Sequence, residues 1–366
     1  MPHSPFSDVL ELRTSAGAFE RIEAWLRERG FFAPGGEDLV ADLFLGYGLS
    51  SKLRRGTGAL PAEPCPALPL AACAVRPWSS APRGIAGDVR IGPWTRTWSP
   101  DEYARAVERV RRAIERGDVY QVNLVQHLAA PFAGDPRTVA ERLSSVAGEY
   151  REPFRGDGWA VVSASPELFL ARRGRRVWTM PIKGTLPLDS PEDLSASEKD
   201  AAEHVMIVDL ERNDLSRVCV PGSVRWPELM IEHTLAGVRH LVSTVEGTLR
   251  PDVGLAELLH ATFPGGSVTG APKIAAVDLI AELEPVGRGA AMGALGWVRG
   301  NGDLDLALTI RTFAIAEGQV HLWVGGGVVW DSDPAAEVEE SLVKAEPLLE
   351  AIGAPLGAAR RSAVGA

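Results

Sequence analysis

Four carboxylates are the first residues in this chain whose spacing suggests chemistry. Asp200 and Glu203 lie three apart in residues 197–209, a stretch that reads as a helix with Ser197 as its cap. Residues three apart on a helix share a face. Glu337 and Glu340 repeat the spacing in the last helix, and Lys344 follows Glu340 by about one turn. Two helices that each present a carboxylate pair could hold one hard divalent cation. Magnesium takes octahedral oxygen ligands and keeps waters, so two direct and two water-mediated carboxylates would suit it. Taken alone, the same pairs also fit solvated helix faces, or first-turn acids complementing a helix dipole.

Lys183 stands in Thr179-Met-Pro-Ile-Lys-Gly-Thr185, after an apolar segment and before a glycine. A lysine partly withdrawn from water loses proton affinity and can act as a nucleophile. Glu167, in Ala164-Ser-Pro-Glu-Leu-Phe-Leu170, falls on a neighbouring predicted strand. A carboxyl flanked by apolar residues can serve as a general acid. The plainer alternatives are a lysine that snorkels to the surface and an acid at a strand edge. Arg311 belongs to residues 304–315, where alternation puts Leu304, Leu306, Leu308 and Ile310 on one face. Asp305, Ala307, Thr309 and Arg311 then share the other. Among small neighbours an arginine can fork onto a carboxylate; facing solvent it has no such task.

Two glycine-rich runs could bring backbone N–H groups to an anion. Phe263-Pro-Gly-Gly-Ser-Val-Thr-Gly-Ala-Pro272 precedes a predicted helix over 273–283, and a helix start presents free N–H groups. The Gly-Lys-Ser/Thr ending of a phosphate loop is missing. Gly325-Gly-Gly327 interrupts a strand pattern, where close approach of a ligand, or a tight turn and a bulge, would account for glycine.

The elements that must position these groups follow from local signals. Residues 18–29 carry Phe19, Ile22, Trp25 and Leu26 at helical spacing. Ser99-Pro-Asp-Glu opens a helix ending near Gly117. Strands are expected over 119–128, 159–170, 176–182 and 320–330, with a hairpin of 293–299 and 304–315 about Asn301-Gly302, a type I′ signal. Asp333-Pro334 opens the last helix, to about residue 352. Residues 1–95, with a Pro- and Ala-rich stretch over 59–82, read as irregular. Strands and helices mix without a βαβ repeat, which favours α+β over a doubly wound sheet.

Composition narrows the function. The 366 residues carry 38 Lys plus Arg against 48 Asp plus Glu, a formal charge of -10, which argues against a nucleic-acid partner. Three cysteines, far from zinc spacing, fit free thiols in a reducing compartment. No signal peptide and no membrane-spanning run is visible, so a cytoplasmic location is expected.

Taken together, these segments resemble the chorismate-utilising family of anthranilate, aminodeoxychorismate, isochorismate and salicylate synthases. The likeness covers roughly residues 99–349. It rests on Gly117-Asp-Val-Tyr-Gln-Val-Asn-Leu124, Ser165-Pro-Glu167, Pro181-Ile-Lys-Gly-Thr185, Glu203-His-Val-Met-Ile-Val-Asp-Leu-Glu-Arg-Asn-Asp214, Gly266-Ser-Val-Thr-Gly-Ala-Pro-Lys273 and Gly325-Gly-Gly-Val-Val-Trp-Asp-Ser-Asp333. The resemblance implies an α+β sandwich of two large sheets around a central cleft, with helices outside. It implies a catalytic domain over 96–353, a reduced N-terminal segment over 1–95 and a tail over 354–366.

By the same resemblance, Glu203 and Glu340 would bind Mg2+ directly and Asp200 and Glu337 through water, bridging to the ring carboxylate of chorismate. Arg311 and the N–H groups of Gly325 and Gly327 would hold the enolpyruvyl carboxylate. Gly184, Thr185, Thr269 and Lys344 would line the pocket, and His240 matches the family's active-site histidine. Trp297 stands where relatives often carry tyrosine. Gln121 replaces the water-activating lysine of the isochorismate and salicylate branch. Anthranilate synthases usually carry alanine at Lys183, and Pro-Ile-Lys-Gly-Thr resembles the aminodeoxychorismate branch. Lys183 would then attack ring carbon 2, Glu167 would protonate the departing 4-hydroxyl, and ammonia from a separate glutamine amidotransferase subunit would enter at carbon 4. The alternatives are anthranilate synthase chemistry and a non-catalytic chorismate-binding paralogue.

Overall fold

The computed structural model describes residues 9–77, 87–147, 151–188, 190, 198–235 and 238–357. The first part of the chain forms β1 (Val9–Leu12), α1 (Ala18–Glu28), β2 (Leu39–Leu45), β3 (Ala71–Pro77), β4 (Val89–Ile91), β5 (Thr95–Arg96) and α2 (Pro100–Glu115). The middle forms β6 (Gln121–Gly134), α3 (Pro136–Ala147), β7 (Phe154–Arg155), β8 (Trp159–Ser163), β9 (Leu168–Arg173), β10 (Arg176–Met180), β11 (Ile182–Pro187), α4 (Glu198–Ser216), β12 (Arg225–Leu235) and β13 (Val238–Thr248). The last part forms α5 (Leu255–Thr262), β14 (Gly270–Ala271), α6 (Lys273–Leu283), β15 (Ala294–Arg299), β16 (Leu304–Leu308), β17 (Thr312–Ala316), β18 (Gln319–Val328) and α7 (Pro334–Ala351).

The strands make two antiparallel sheets, the α+β class expected. The larger runs β1-β3-β2-β15-β16-β9-β10-β13-β11, with β12 also on β13. The smaller runs β14-β6-β18-β17-β8-β7, with β4 and β5 also on β6. Alternation along β17 shows how the layers stack. Phe313 and Ile315 pack with Leu322, Leu348, Leu349 and Ile352 beneath α7, while Ala314 and Ala316 face the main core. The smaller sheet is thus buried on both faces, which calls for nearly continuous apolar runs.

Local signals explain the helix ends. Ser99 caps α2 in a capping box: its hydroxyl accepts from the Glu102 N–H, and the Glu102 carboxylate accepts from the Ser99 N–H at 2.8 Å. Asp333 Oδ1 accepts from the Ala336 N–H at 2.9 Å at the start of α7.

Four expectations need correction. The predicted strand over 159–170 is two strands in different sheets, β8 and β9, and the chain crosses between them through Ala164-Ser-Pro-Glu167. Pro166 lacks the N–H a continuous ladder needs. The predicted strand over 304–315 likewise splits into β16 and β17, broken at Arg311, whose φ is 50°. The periodicity runs through both breaks because both sheets are buried.

The 293–299 and 304–315 hairpin forms, but Asn301 is not in the left-handed region. Its side chain instead accepts from the Asp303 N–H at 3.0 Å, an Asx turn, and only Gly302 has positive φ, 89°. The described part of residues 1–95 is not irregular: β1, β2 and β3 belong to the larger sheet, where β2 lies between β3 and β15. Small, non-alternating residues in Ala71-Ala-Cys-Ala hid β3.

Candidate active site

Two passages between the sheets put two charged residues side by side. One carries Glu167 from β8 to β9; the other carries Arg311 from β16 to β17. They are joined by the Ala164 N–H to Arg311 O at 3.0 Å and the Leu308 N–H to Glu167 O at 3.0 Å. Arg311 holds a left-handed conformation that a non-glycine residue adopts only when its surroundings fix it. Glu167 is 6% exposed, and its Oε1 accepts from the Ser267 hydroxyl at 2.8 Å. Burial raises its pKa. Ser267, the Lys183 charge, the Ile182 N–H and the Arg311 charge oppose that rise without cancelling it. Burial in turn lowers the pKa of Arg311, and the Glu167 charge counters this. Lys183 and Arg311 therefore both lie within electrostatic reach of one buried carboxyl.

Lys183 is on β11, opposite Leu241 of β13, and the ladder slips between Lys183 and Leu186. Gly184, at that bulge, has φ 64°, a conformation costly for a residue with a Cβ. Its carbonyl accepts from His240 Nδ1 at 2.9 Å, which fixes the ring on β13. His240 is 1% exposed; burial lowers its pKa, and the Arg311 charge pushes the same way. The Lys183 amine lies 3.8 Å from Glu203 Oε2, with both side chains largely buried.

Glu337 and Glu340 face the glycine strand from α7. Glu337 is buried, and its Oε1 accepts from the Ser332 hydroxyl at 2.7 Å. A Cβ on Gly326 would stand 3.1 Å from Lys344 Nζ and 3.6 Å from both Glu337 Oε2 and Glu340 Oε1. Lys344 reaches Glu340 Oε1 at 2.7 Å and Gly325 O at 3.3 Å. Two carboxylates, a carbonyl and the space a glycine leaves therefore stand together around the Lys344 ammonium. This donor set fits a hard cation. Among the described residues no three His, Cys, Asp or Glu side chains gather closely enough to hold a metal ion. The side chains of Asp200 and Thr185 lie outside the described residues, and Glu203 is placed with Lys183.

The other expected pocket residues have structural work in view. The Thr269 hydroxyl, fully buried, donates to Gly265 O at 2.8 Å and so holds its own turn. Gly325 lets two strands meet: a Cβ there would come within 2.0 Å of Leu124 O. One on Gly327 would meet the Gln121 amide at the same distance. Trp297 lies under the Arg173 guanidinium, 4.9 Å from ring centre to Cζ.

Three residues that sequence reasoning did not single out adjoin the candidate site. Ser267 touches Glu167, and Gly326 opens onto the acids of α7. His204 is fully buried beside Glu203, and neither ring nitrogen has a hydrogen-bond partner. Burial brings its pKa to about 4, with the Lys183 charge pushing the same way, so the ring is neutral. All three sit inside quoted motifs, but a motif does not say which side chain turns inward.

Comparison with known proteins bears on the family and the fold. The family described as chorismate binding enzyme matches residues 63–350. Aminodeoxychorismate synthase component 1 of Klebsiella aerogenes is 43% identical over 268 residues, which cover 70% of this chain and 59% of that protein. Anthranilate synthase component 1 of Streptomyces coelicolor is 42% identical over 269 residues, 71% of this chain and 53% of that one. The chain thus spans less than two thirds of the length of these curated relatives. The crystal structure of anthranilate synthase component I from Streptococcus pneumoniae TIGR4 superposes with a TM-score of 0.74 at 28% identity, covering 84% of this chain and 80% of the other. With the matched segment spanning the sheet crossovers, the Lys183 strand and the acids of α7, this chain belongs to the chorismate-binding enzyme family.

Proposed function

We propose that the protein aminates chorismate at ring carbon 4, giving 4-amino-4-deoxychorismate, as the synthase component of an aminodeoxychorismate synthase. The observation that carries this reading is the grouping of a nucleophile and an acid. Lys183, whose side chain is 16% exposed, acts on the charge of Glu167, a buried carboxyl with a raised pKa. A carboxyl that keeps its proton can donate it, and an amine that reaches the same substrate can attack.

Lys183 forms a bond to ring carbon 2, the ring double bonds shift, and the carbon 4–oxygen bond breaks as Glu167 protonates the departing hydroxyl, which leaves as water. Ammonia then bonds to carbon 4, the double bonds shift back, the bond to Lys183 breaks to restore the amine, and the new ammonium returns a proton to Glu167. Arg311 pairs with a substrate carboxylate, and the His240–Gly184 contact holds the Lys183 bulge in shape. Glu203 and Glu340, together with Asp200 and Glu337, would hold magnesium, which would supply neutralisation of substrate carboxylate charge when bound. A separate glutamine amidotransferase subunit supplies the ammonia.

The test supplies chorismate, magnesium chloride and ammonium salt, and identifies the product by mass and NMR. The expected product carries nitrogen at carbon 4. Lys183→Ala is expected to lower its formation by on the order of 10³-fold, within the range of losses on removing catalytic groups. Anthranilate as the product would replace this reading with amination at carbon 2, and an unchanged rate in Lys183→Ala would remove the lysine from the reaction.

A further inference from the structure

A cavity of ≈ 560 Å³ lies between the N-terminal segments and α6, and none of the reaction residues lines it. Its volume falls within the range of small-molecule sites. The wall is apolar over Leu60, Leu68, Leu70, Val277, Ile280 and Val286. Arg54 is set into that wall with its side chain only 10% exposed. Its Nε is buried and has no hydrogen-bond partner. Its ion pair with Asp278 is long, 3.8 Å, and Asp278 Oδ1 already accepts from the Arg55 and Gly56 N–H groups at 3.0 Å. A guanidinium withdrawn from water beside a long ion pair is costly, and an anion entering the cavity offsets that cost by its charge.

The other charges around the cavity are engaged. Arg288 is held by Glu284 and by the carbonyls of Val268 and Asn123. Arg13 donates to the carbonyls of Pro66 and Ala67. Glu63 accepts from the Gly289 N–H at 2.9 Å, and burial raises its pKa, which weakens its repulsion of an anion. The Tyr47 hydroxyl, with Ser50 near it, is buried and carries no charge toward the cavity.

We propose that this cavity binds a small carboxylic acid with an apolar body. The carboxylate sits on Arg54, and the body lies against Val277, Ile280 and Ala281 of α6. Planar two-point pairing suits guanidinium and carboxylate, and apolar walls favour an aromatic or aliphatic remainder. The Arg288–Glu284 pair separates this cavity from β6 and the Thr269 turn, so the site is distinct from that of the reaction.

The experiment is calorimetric titration of the full chain with benzoate and with its neutral counterpart benzamide. Benzoate is expected to bind with one-to-one stoichiometry, at least tenfold tighter than benzamide, and without displacement by chorismate. Arg54→Gln should weaken benzoate at least tenfold. Ala281→Trp, which fills the cavity from α6, should abolish binding while circular dichroism stays unchanged. Crystals soaked in 4-bromobenzoate should place anomalous bromine density between Leu60 and Ile280. The proposal is overturned by absence of saturable binding, by equal affinity for benzamide, or by competition with chorismate, which would put benzoate in the reaction site. If Arg54→Gln does not fold, the benzamide comparison on the native chain and Ala281→Trp decide the matter.

Discussion

The two halves of the proposed reaction site differ in their exposure to water. Around Glu167 the groups are dry: Glu167 is 6% exposed, His240 is 1% exposed, and Ser267 is buried. Around Gly326 they are wet at one side: the Glu340 side chain is 53% exposed and that of Lys344 48%. Proton transfer gains from exclusion of water, because burial is what keeps a carboxylic acid protonated. A cation site gains from access, since the ion must enter and keep some of its own waters. Under the proposed function, bond-making would fall to the sheet crossovers and ion capture to the face of α7.

The sharpest test of the dry half is Glu167→Gln, expected to lower kcat by about 10²–10⁴-fold, the usual size of a general-acid contribution. Because the acid form is required, wild-type kcat should fall as pH rises through the raised Glu167 pKa, and the glutamine variant should lose that limb. A parallel pH profile in the two proteins would end the assignment.

On the wet side, Glu340→Gln should raise the magnesium concentration for half-maximal rate by roughly tenfold, as expected for loss of a carboxylate donor, with kcat at saturating metal changing far less. An equal effect on kcat would erase the contrast between the halves. Lys344→Met should shift the same titration only a few-fold, about the worth of one exposed ion pair. Under the proposed function the ammonium beside Glu340 would compete with the metal, so the shift should be toward tighter binding.

Glu211 extends the comparison to stability. It is buried, accepts from the Thr179 hydroxyl at 3.2 Å, and has a pKa raised well above the ordinary value, first by burial and then by Glu167 and Asp214. A carboxyl with a higher pKa in the native chain than in the unfolded one favours folding fully below the unfolded value. That contribution is lost as pH rises through the native value. Glu211→Gln should therefore gain on the order of 1 kcal/mol over wild type at pH 8, and nothing at pH 3. Thermal melts at the two values would show it; a constant difference would mean that Glu211 does not titrate on folding.

How much of this could be read from the residues depends on whether a signal was local. The caps of α2 and α7 were legible because Ser99-Pro-Asp-Glu and Asp333-Pro satisfy helix ends by themselves. The acids of α7 were legible as a pair for the same reason. The sheet crossovers were not: Trp159 to Leu170 and Leu304 to Ile315 stay apolar through the break, and periodicity cannot tell one buried sheet from another. The left-handed backbone of Arg311 is a tertiary product with no sequence signature. The strand Ala71–Pro77 escaped because its partners, β1 and β2, come from distant parts of the chain.

The paired amide links at the crossovers also have a mechanical meaning. Ala164 is tied to Arg311 and Leu308 to Glu167, so residues at or next to the ends of four strands from two layers share one knot. Neither layer can fray there without loosening the other. Slow-exchanging amides at Ala164 and Leu308 should open together, and they should do so only when the whole molecule melts.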